Sequence, residues 1–285
     1  MILFKHPKDI SKFLLEKSIP QSTIGFVPTM GALHAGHCSL IKAALKENQL
    51  VIASIFVNPT QFTEQADFEK YPSTIEADIF QLEKTGCDVL FLPSVADMYP
   101  NGSAPTRQYE LGLLDSILEG EFRPGHFQGV CQVVHRLLDI IAPGTLYLGQ
   151  KDFQQCKVVQ TLVHLLGLNT TISICPTQRE SDGLAMSSRN SRLTPAEREK
   201  ASCVNRALQS IKENLREGDL TQLQRNAQEI LTKEGFKVEY VAIANAHKLE
   251  IIQYWDGKSA LVALAAAYIN EVRLIDNLLL NPPLQ

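Results

Sequence analysis

Five short apolar runs alternate with stretches of helical periodicity in the first 176 residues, and this alternation constrains the fold most. Each run has the length of a strand, and the longest is apolar throughout except for one serine. Runs of this kind are typical of parallel strands covered on both faces. The runs are Ile24–Val27, Val51–Val57, Asp88–Leu92, Thr145–Gly149 and Thr171–Cys175. The alternation predicts an α/β fold with a Rossmann-like, doubly wound parallel sheet.

Beyond Pro176 the pattern changes to a polar loop, two predicted helices and three strand-like runs. One helix is predicted to begin at Thr194, and the other covers Leu220–Glu234. The strand-like runs are Val238–Ala244, Ala260–Ile269 and Val272–Leu280. The sequence therefore predicts a catalytic domain of residues 1–176 and a smaller α+β domain of residues 177–285.

Two four-residue segments have the form of a capping box at a helix start. Thr194–Glu197 adds a proline at the first helical position, which strengthens the signal. Ser73–Glu76 has the same form and predicts a helix that runs to about Lys84.

Charge and apolar content argue against several classes of partner. The net charge of −4 and the pI of about 6.0 disfavour binding to nucleic acid or to an anionic membrane. The most apolar late stretch, Ala260–Ile269, is too short to span a bilayer, and Met1–Pro7 lacks the core of a signal peptide. The six cysteines are scattered without a CxxC pair, which predicts reduced and mostly buried thiols. We therefore expect a cytoplasmic protein with no membrane partner.

The segment Pro28–His37, PTMGALHAGH, lies between the first apolar run and a helix-like segment. A strand, a tight turn and a helix start form the geometry in which α/β folds bind phosphates. Gly31 and Gly36 lack a Cβ atom, so a nucleotide could approach the backbone closely there. His34 and His37 share one face if the helix has begun, beside the positive end of the helix.

Two other interpretations of this histidine pair stay open at the level of pattern. The pair could ligate a metal, although the segment lacks the glutamate of HExxH and an obvious third ligand. It could also be a pair of surface histidines at a helix start.

Four further polar segments lie at predicted strand ends or turns: Gln61, Arg123–His126, Gly149–Asp152 and Ser187–Arg189. The third places a lysine where a phosphate-binding lysine would lie, and the fourth offers two hydroxyls and a guanidinium. Each alone could be a solvated loop or a capped helix end. Together with the histidine pair they predict a nucleotide site.

Five motifs together resemble the pantothenate synthetases (pantoate–β-alanine ligases), a family of the HxGH nucleotidyltransferase superfamily. The motifs are PTMGALHAGH, FVNPTQF, RPGHFQGV, GQKDFQQ and DGLAMSSRN, in the order and spacing of the family. The resemblance covers nearly the whole chain and is strongest from residue 24 to residue 190. It implies an enzyme that condenses pantoate with β-alanine to pantothenate through a pantoyl adenylate, consuming ATP and releasing AMP and pyrophosphate.

The resemblance also implies an architecture and partners. The catalytic domain is similar to that of class I aminoacyl-tRNA synthetases, and the second domain is expected to close over the ATP site. The family is typically a cytoplasmic homodimer that depends on Mg²⁺. Magnesium is expected to be held mainly by the phosphates of ATP, with Glu76 and Asp78 as possible outer contacts and with no predicted protein ligand.

Site residues follow from the same resemblance. His34, His37 and Lys151 are the predicted catalytic residues. Gln61 and Gln155 would bind pantoate, and Gln61 would also border β-alanine. The predicted ATP-binding residues are Met30, Gly31, Ala32, Leu33, His34, Ala35, Gly36, His37, Gly149, Gln150, Lys151, Asp152, Gln178, Met186, Ser187, Ser188 and Arg189.

Two residues depart from the family pattern. Gln150 replaces a common glutamate, and Gln178 replaces an apolar residue near the expected adenine. Neither change removes a phosphate donor, so we expect retained activity with altered ATP affinity.

Two other function classes stay open. One is another small-acid adenylating or nucleotidylyl-transferring enzyme of the same superfamily. The other is a non-catalytic nucleotide-binding module, which would not need the histidine pair, the lysine and the Ser-Ser-Arg segment together.

Overall fold

The computed structural model describes residues 1–104 and 107–281. These residues divide into two compact units. The first comprises Met1–Gln150 and Gln154–Pro176, and the second comprises Lys151–Phe153 and the chain from Thr177 onward.

The first unit contains a six-stranded sheet with the order β1-β4-β3-β2-β5-β6, in which all neighbouring strands are parallel. The strands are β1 Ile2–Phe4, β2 Ile24–Thr29, β3 Leu50–Ile55, β4 Val89–Phe91, β5 Thr145–Gly149 and β6 Thr171–Cys175. The predicted parallel sheet is confirmed. The edge strand β1 was not predicted, because it has only three residues and two of them are exposed.

Helices cover both faces of this sheet. They are α1 Pro7–Glu16, α2 Ala35–Glu47, α3 Gln65–Glu69, α4 Ile75–Thr85, α5 Val95–Met98, α6 Glu119–Phe122, α7 His126–Ile141 and α8 Phe153–Leu165. Phe26 and Ile52 belong to one apolar core, and their sequence neighbours Val27 and Val51 belong to another. Side chains alternate across a strand, so the two cores lie on opposite faces, as a doubly wound sheet requires.

The strand order of the sheet changes direction at β2. From β2 it moves to β3 on one side, whereas β5 joins β2 on the other side. β2 and β5 pair only at Gly25–Phe26 with Thr145–Leu146, although β2 continues to Thr29 and β5 to Gly149. The ladder therefore stops before the carboxyl ends of both strands. In open α/β sheets ligands bind at such a switch point.

The start of α4 differs from its prediction. The helix is confirmed, with Thr74 as N-cap and Gly86 in the left-handed conformation at its end (φ 95°). The predicted capping box Ser73–Glu76 is wrong, because the Thr74 hydroxyl donates to Asp78 Oδ1 at 3.1 Å and Glu76 is exposed.

The second unit is α+β, as predicted. Its strands are β7 Gly218–Asp219, β8 Lys237–Asn245, β9 Tyr254–Trp255, β10 Leu261–Ile269 and β11 Val272–Leu279. β11, β10 and β8 form an antiparallel sheet in that order, and β7 pairs with β9. The helices are α9 Pro195–Ala201, α10 Cys203–Glu213 and α11 Thr221–Lys233. The capping box at Thr194 is confirmed, since the Thr194 N–H donates to Glu197 Oε2 at 2.8 Å and its hydroxyl accepts from the Glu197 N–H.

The six cysteines are free, and five of them are buried. Cys38, partly exposed on α2, accepts hydrogen bonds at sulfur from Gln81 and Thr85. Across residues 1–104 and 107–281, no helix combines the length and the apolar character needed to cross a membrane.

Candidate active site

The turn between β2 and α2 has a strained backbone. Gly31 and Ala32 both adopt positive φ angles, of 81° and 48°. A Cβ atom at Gly31 would lie 3.0 Å from Asp78 Oδ2, so this position requires glycine for space as well as for conformation. The left-handed conformation of Ala32 costs about 1–2 kcal/mol, which contacts of the turn must offset.

A buried carboxylate holds this turn. Asp78, on α4, is 1% exposed. Its Oδ2 accepts from the Ala32 N–H at 2.9 Å, and its Oδ1 accepts from the Leu33 N–H at 2.8 Å. Both oxygens of Asp78 therefore bind the backbone of the motif, and its expected outer contact with magnesium stays a prediction.

The two histidines of the motif form a capping box. His34 is the N-cap of α2, and its Nδ1 accepts from the Gly36 N–H at 3.1 Å. The His34 N–H in turn donates to His37 Nδ1 at 3.3 Å, and the ring centroids lie 4.1 Å apart. The imidazoles thus replace the serine or threonine and the glutamate of an ordinary capping box.

This geometry determines the tautomer of both rings. A backbone N–H can only donate, so each Nδ1 must be an unprotonated acceptor. The proton of each neutral imidazole is therefore on Nε2. The start of the 13-residue helix α2 carries two Nε2–H donors beside its positive dipole end.

A buried amide network positions Gln61. This residue is 9% exposed, and its Nε2 donates to the sulfur of Met30 at 3.1 Å, which joins two predicted site segments. Its Oε1 accepts from Asn58 Nδ2 at 3.2 Å. Asn58 is 1% exposed and accepts from the Tyr99 hydroxyl at 2.7 Å. The sequence analysis did not predict a role for Asn58 or Tyr99, although Asn58 lies inside the FVNPTQF motif.

The RPGHFQGV motif, at the start of α7, contacts the 3-10 turn Pro59–Gln61 that carries Gln61. His126 is buried, and its Nδ1 donates to the carbonyl of Gln61 at 2.7 Å while its Nε2 accepts from Arg123 at 3.1 Å. A Cβ atom at Gly129 would lie 2.2 Å from the carbonyl oxygen of Thr60, so the helix approaches the turn as closely as only glycine allows. In the structure this motif positions Gln61.

A cavity of about 210 Å³ borders the turn within the first unit. The residues that line it include Met30, Gly31, Phe56, Asp78 and Val95. This volume lies below the range of about 300–1,000 Å³ that is typical of small-molecule sites.

Other predicted residues of the first unit lie near the end of β5 and in α8. Gly149 ends β5, and Gln150 begins the following 3-10 turn. Gln155 is half-buried in the first turn of α8. The amide of the neighbouring Gln154 is 2% exposed and bonds to three backbone groups, so that residue serves the fold.

Lys151 and Asp152 belong to the second unit. Lys151 Nζ lies 3.6 Å from Asp152 Oδ1. The carbonyl of Lys151 accepts from Nδ2 of Asn277 at 2.8 Å, and Asn277 is a buried residue of β11. Asn277, which was not predicted, therefore fixes the backbone of the predicted catalytic lysine.

The segment Met186–Arg189 also lies in the second unit and is half-buried. Ser187 caps a 3-10 turn by accepting from the Arg189 N–H at 3.3 Å. The Met186 N–H donates to the backbone carbonyl of Gln178. Gln178, a predicted ATP-binding residue, is exposed. The segment thus presents two hydroxyls and a guanidinium on an ordered turn.

An ion pair with a buried carboxylate anchors the chain before this segment. Arg179 contacts Asp276 through two hydrogen bonds of 2.7 and 2.9 Å and also donates to the carbonyl of Gly183 at 3.0 Å. Burial raises the pKa of Asp276, and Arg179 opposes that rise. The pair was not predicted, because its partners lie 97 residues apart.

Comparison with known proteins agrees with this architecture. A profile of the pantoate-beta-alanine ligase family matches residues 2–279. The pantothenate synthetase of Cytophaga hutchinsonii is 44% identical over 283 residues, which cover 98% of this chain and 99% of that protein. The pantothenate synthetase of Phocaeicola vulgatus is 44% identical over 258 residues, covering 90% and 91% of the two chains.

Solved structures show the same similarity. Pantothenate synthetase from Thermus thermophilus superposes with a TM-score of 0.90 and 39% identity, covering 99% of this chain and 100% of that one. Pantoate-beta-alanine ligase from Francisella tularensis, solved in complex with beta-gamma ATP and beta-alanine, has a TM-score of 0.81 and 40% identity over 98% and 97% of the two chains. These matches show that the chain belongs to the pantoate–β-alanine ligase family.

Proposed function

We propose that this protein condenses pantoate with β-alanine to pantothenate through a pantoyl-adenylate intermediate, consuming ATP and releasing AMP and pyrophosphate. The imidazole capping box carries the proposal, because it leaves the proton of each ring on Nε2 at a helix start that follows β2 at the switch point of the sheet. Family membership supports the ligase reaction. The Francisella relative, solved with beta-gamma ATP and beta-alanine, supports two of the substrates.

In the first half-reaction an oxygen of the pantoate carboxylate attacks the α-phosphorus of ATP. The bond from that phosphorus to the bridging oxygen breaks, and pyrophosphate leaves with the electron pair. No protein nucleophile is required. His34 and His37 donate to phosphoryl oxygens as charge develops, and one such contact contributes about 3–4 kcal/mol to transition-state stabilisation.

Gln61 and Gln155 hold pantoate. The amide of Gln61 has a defined orientation, since its oxygen accepts from Asn58 and its nitrogen faces Met30. A side chain held in this way loses little freedom on binding, which favours positioning of the attacking carboxylate.

Lys151 and the segment Ser187–Arg189 neutralise phosphate charge. The lysine supplies a compact ammonium, and Arg189 supplies a planar fork that matches phosphate oxygens. Asn277 holds the backbone of Lys151, which supports a fixed position for this charge.

Magnesium enters as part of the MgATP substrate. The described residues contain no group of three or more histidine, cysteine or acidic residues arranged to hold a metal ion. Asp78 uses both oxygens on backbone N–H groups. These residues do not fit a resident metal centre. The expected cytoplasmic homodimer is part of the same proposal and is supported by the family resemblance.

In the second half-reaction the neutral amine of β-alanine attacks the acyl carbon of the adenylate. The bond from that carbon to the phosphate oxygen breaks, AMP leaves, and the nitrogen loses a proton to solvent. Gln61 borders both substrates in this proposal. The rate of this step should rise with pH as the amine deprotonates.

A pyrophosphate-burst experiment tests the two-step order. Enzyme with MgATP and pantoate should release one equivalent of pyrophosphate per active site and then stall, and β-alanine should restart turnover. Gln61→Ala should impair both phases, whereas Gln65→Ala, which changes an exposed glutamine of α3, should impair neither. A burst that requires β-alanine would contradict the adenylate. A burst with another acid and none with pantoate would indicate a different adenylating enzyme.

A further inference from the structure

The carboxylate of Asp78 is buried against the motif turn rather than against a cation. Among the described residues it forms no ion pair, and its partners are the N–H groups of Ala32 and Leu33 and the hydroxyl of Thr74. A buried charge without such partners would be costly, so the three hydrogen bonds account for its burial. The turn and the carboxylate therefore depend on each other.

Two successive backbone N–H groups of the turn, those of Ala32 and Leu33, donate to one carboxylate. Successive positive φ angles at Gly31 and Ala32 help turn neighbouring backbone N–H groups toward one point. In this protein the anion at that point is the side chain of Asp78, 46 residues further along the chain. The anion also compensates the cost of the left-handed conformation at Ala32.

The position of the capping box depends on this turn. Leu33, whose N–H binds Asp78, directly precedes His34. A rotation of the backbone at Leu33 would move the His34 N–H away from His37 Nδ1 and change the direction of both rings. We propose that Asp78 is a positioning residue that holds the His34–His37 capping box in place and thereby directs its two Nε2–H donors. The catalytic part of this inference rests on the proposed function.

Only a carboxylate satisfies the turn. An asparagine at position 78 has one acceptor oxygen, and its amide nitrogen would face an N–H donor at 2.8 or 2.9 Å. Asp78→Asn therefore keeps the shape of the side chain and removes one bond to the turn. A matched control is Asp88→Asn, since Asp88 Oδ2 accepts from the N–H of Val51 at 2.8 Å near the amino end of β4.

The kinetic test is a double-mutant cycle on the pyrophosphate burst. Asp78→Asn should lower the burst rate roughly 10–100-fold through misplacement of the donors, with less than about a threefold change in the KM for ATP. In a His34→Ala/His37→Ala background the same substitution should change the rate less than about threefold, because both of the donors that it misplaces are absent. Asp88→Asn should leave the rate unchanged in both backgrounds. If Asp78→Asn does not fold, Thr74→Val removes one donor from Oδ1 and should show a smaller loss with the same dependence on the two histidines.

A second readout does not require activity. Nitrogen NMR of the histidine rings should show unprotonated Nδ1 and protonated Nε2 at both positions in the wild-type protein, and exchange between tautomers in Asp78→Asn. Wild-type rates with unchanged ring spectra would overturn the inference. A loss of equal size in both backgrounds, or a changed Mg²⁺ requirement alone, would overturn it too. If the wild-type protein releases no pyrophosphate with pantoate while Asp78→Asn changes the ring spectra, the proposed function is refuted and the positioning role stands.

Discussion

Replacing Gly129 by alanine tests how the fold holds Gln61. The new methyl group would lie 2.2 Å from the carbonyl oxygen of Thr60 and 2.8 Å from the Cα atom of Gln61. Carbon atoms in contact are comfortable at about 3.5–4.0 Å, so α7 and the turn must separate by roughly 1 Å. The backbone itself must move, since no flexible side chain can give way.

The expected effects on stability and on activity differ in size. Alanine gains up to about 1 kcal/mol of helix propensity over glycine, whereas overpacking costs about 1–3 kcal/mol. The melting temperature should therefore fall by only a few degrees. A displacement of roughly 1 Å at a positioning residue can cost about 10²-fold in rate, so kcat/KM for pantoate should fall by that order.

The assay is ATP–pyrophosphate exchange as a function of pantoate concentration, with the melting temperature measured in parallel. Gly144→Ala is the matched control, because its methyl group would lie 2.6 Å from the Cα atom of Ser22 just before β5 begins, at the amino end of that strand. The control should lower the melting temperature and leave the exchange rate per folded enzyme unchanged. Wild-type exchange by Gly129→Ala, or equal losses in both variants, would refute the reasoning.

Three further predictions follow from named contacts. His34→Asn should keep helix α2 capped, since asparagine is a good N-cap, yet lower the burst rate about 10²–10³-fold; circular dichroism and burst kinetics check both halves, and an undiminished burst would rule out the donor role. Lys151→Ala should lower kcat more than it raises the KM for ATP, and a pure KM defect would make this lysine a uniform binding contact. The pKa of His6 is raised by its hydrogen bond to Asp97, whose own pKa is lowered to about 2 by hydrogen bonds from Ser94 and His6. Protonated His6 therefore stabilises the folded protein fully below its unfolded pKa of 6.5, and this stabilisation is lost as the pH rises through the folded pKa. In Asp97→Asn the His6 pKa, measured by NMR titration, should return toward 6.5. An unchanged midpoint would contradict the pairing.

The sequence correctly predicted those secondary-structure elements that are determined by residues close together in the chain. The strand, turn and helix around PTMGALHAGH were predicted because apolar runs and helical periodicity are local signals. The capping box at Thr194 was predicted for the same reason, since its partner Glu197 lies three residues away. The parallel sheet followed from several such signals in alternation.

The failed prediction at α4 shows the limit of local patterns. Ser73–Glu76 has the form of a capping box, but the Thr74 hydroxyl donates to Asp78. Asp78 in turn points to backbone groups that lie 46 residues earlier in the chain. A pattern of four residues carries no information about such a competitor.

Tertiary structure alone decided what supports the candidate site. Asn58 reaches Gly129 across 71 residues, and Arg179 reaches Asp276 across 97. The turn that carries Lys151 belongs to the second unit, because Asn277 of β11 binds its carbonyl. The chemistry of the candidate catalytic side chains is thus encoded locally, in motifs of a few residues. Their positions are decided by buried polar groups whose partners are chosen only when distant segments pack, because a buried donor or acceptor must be satisfied wherever the fold places it.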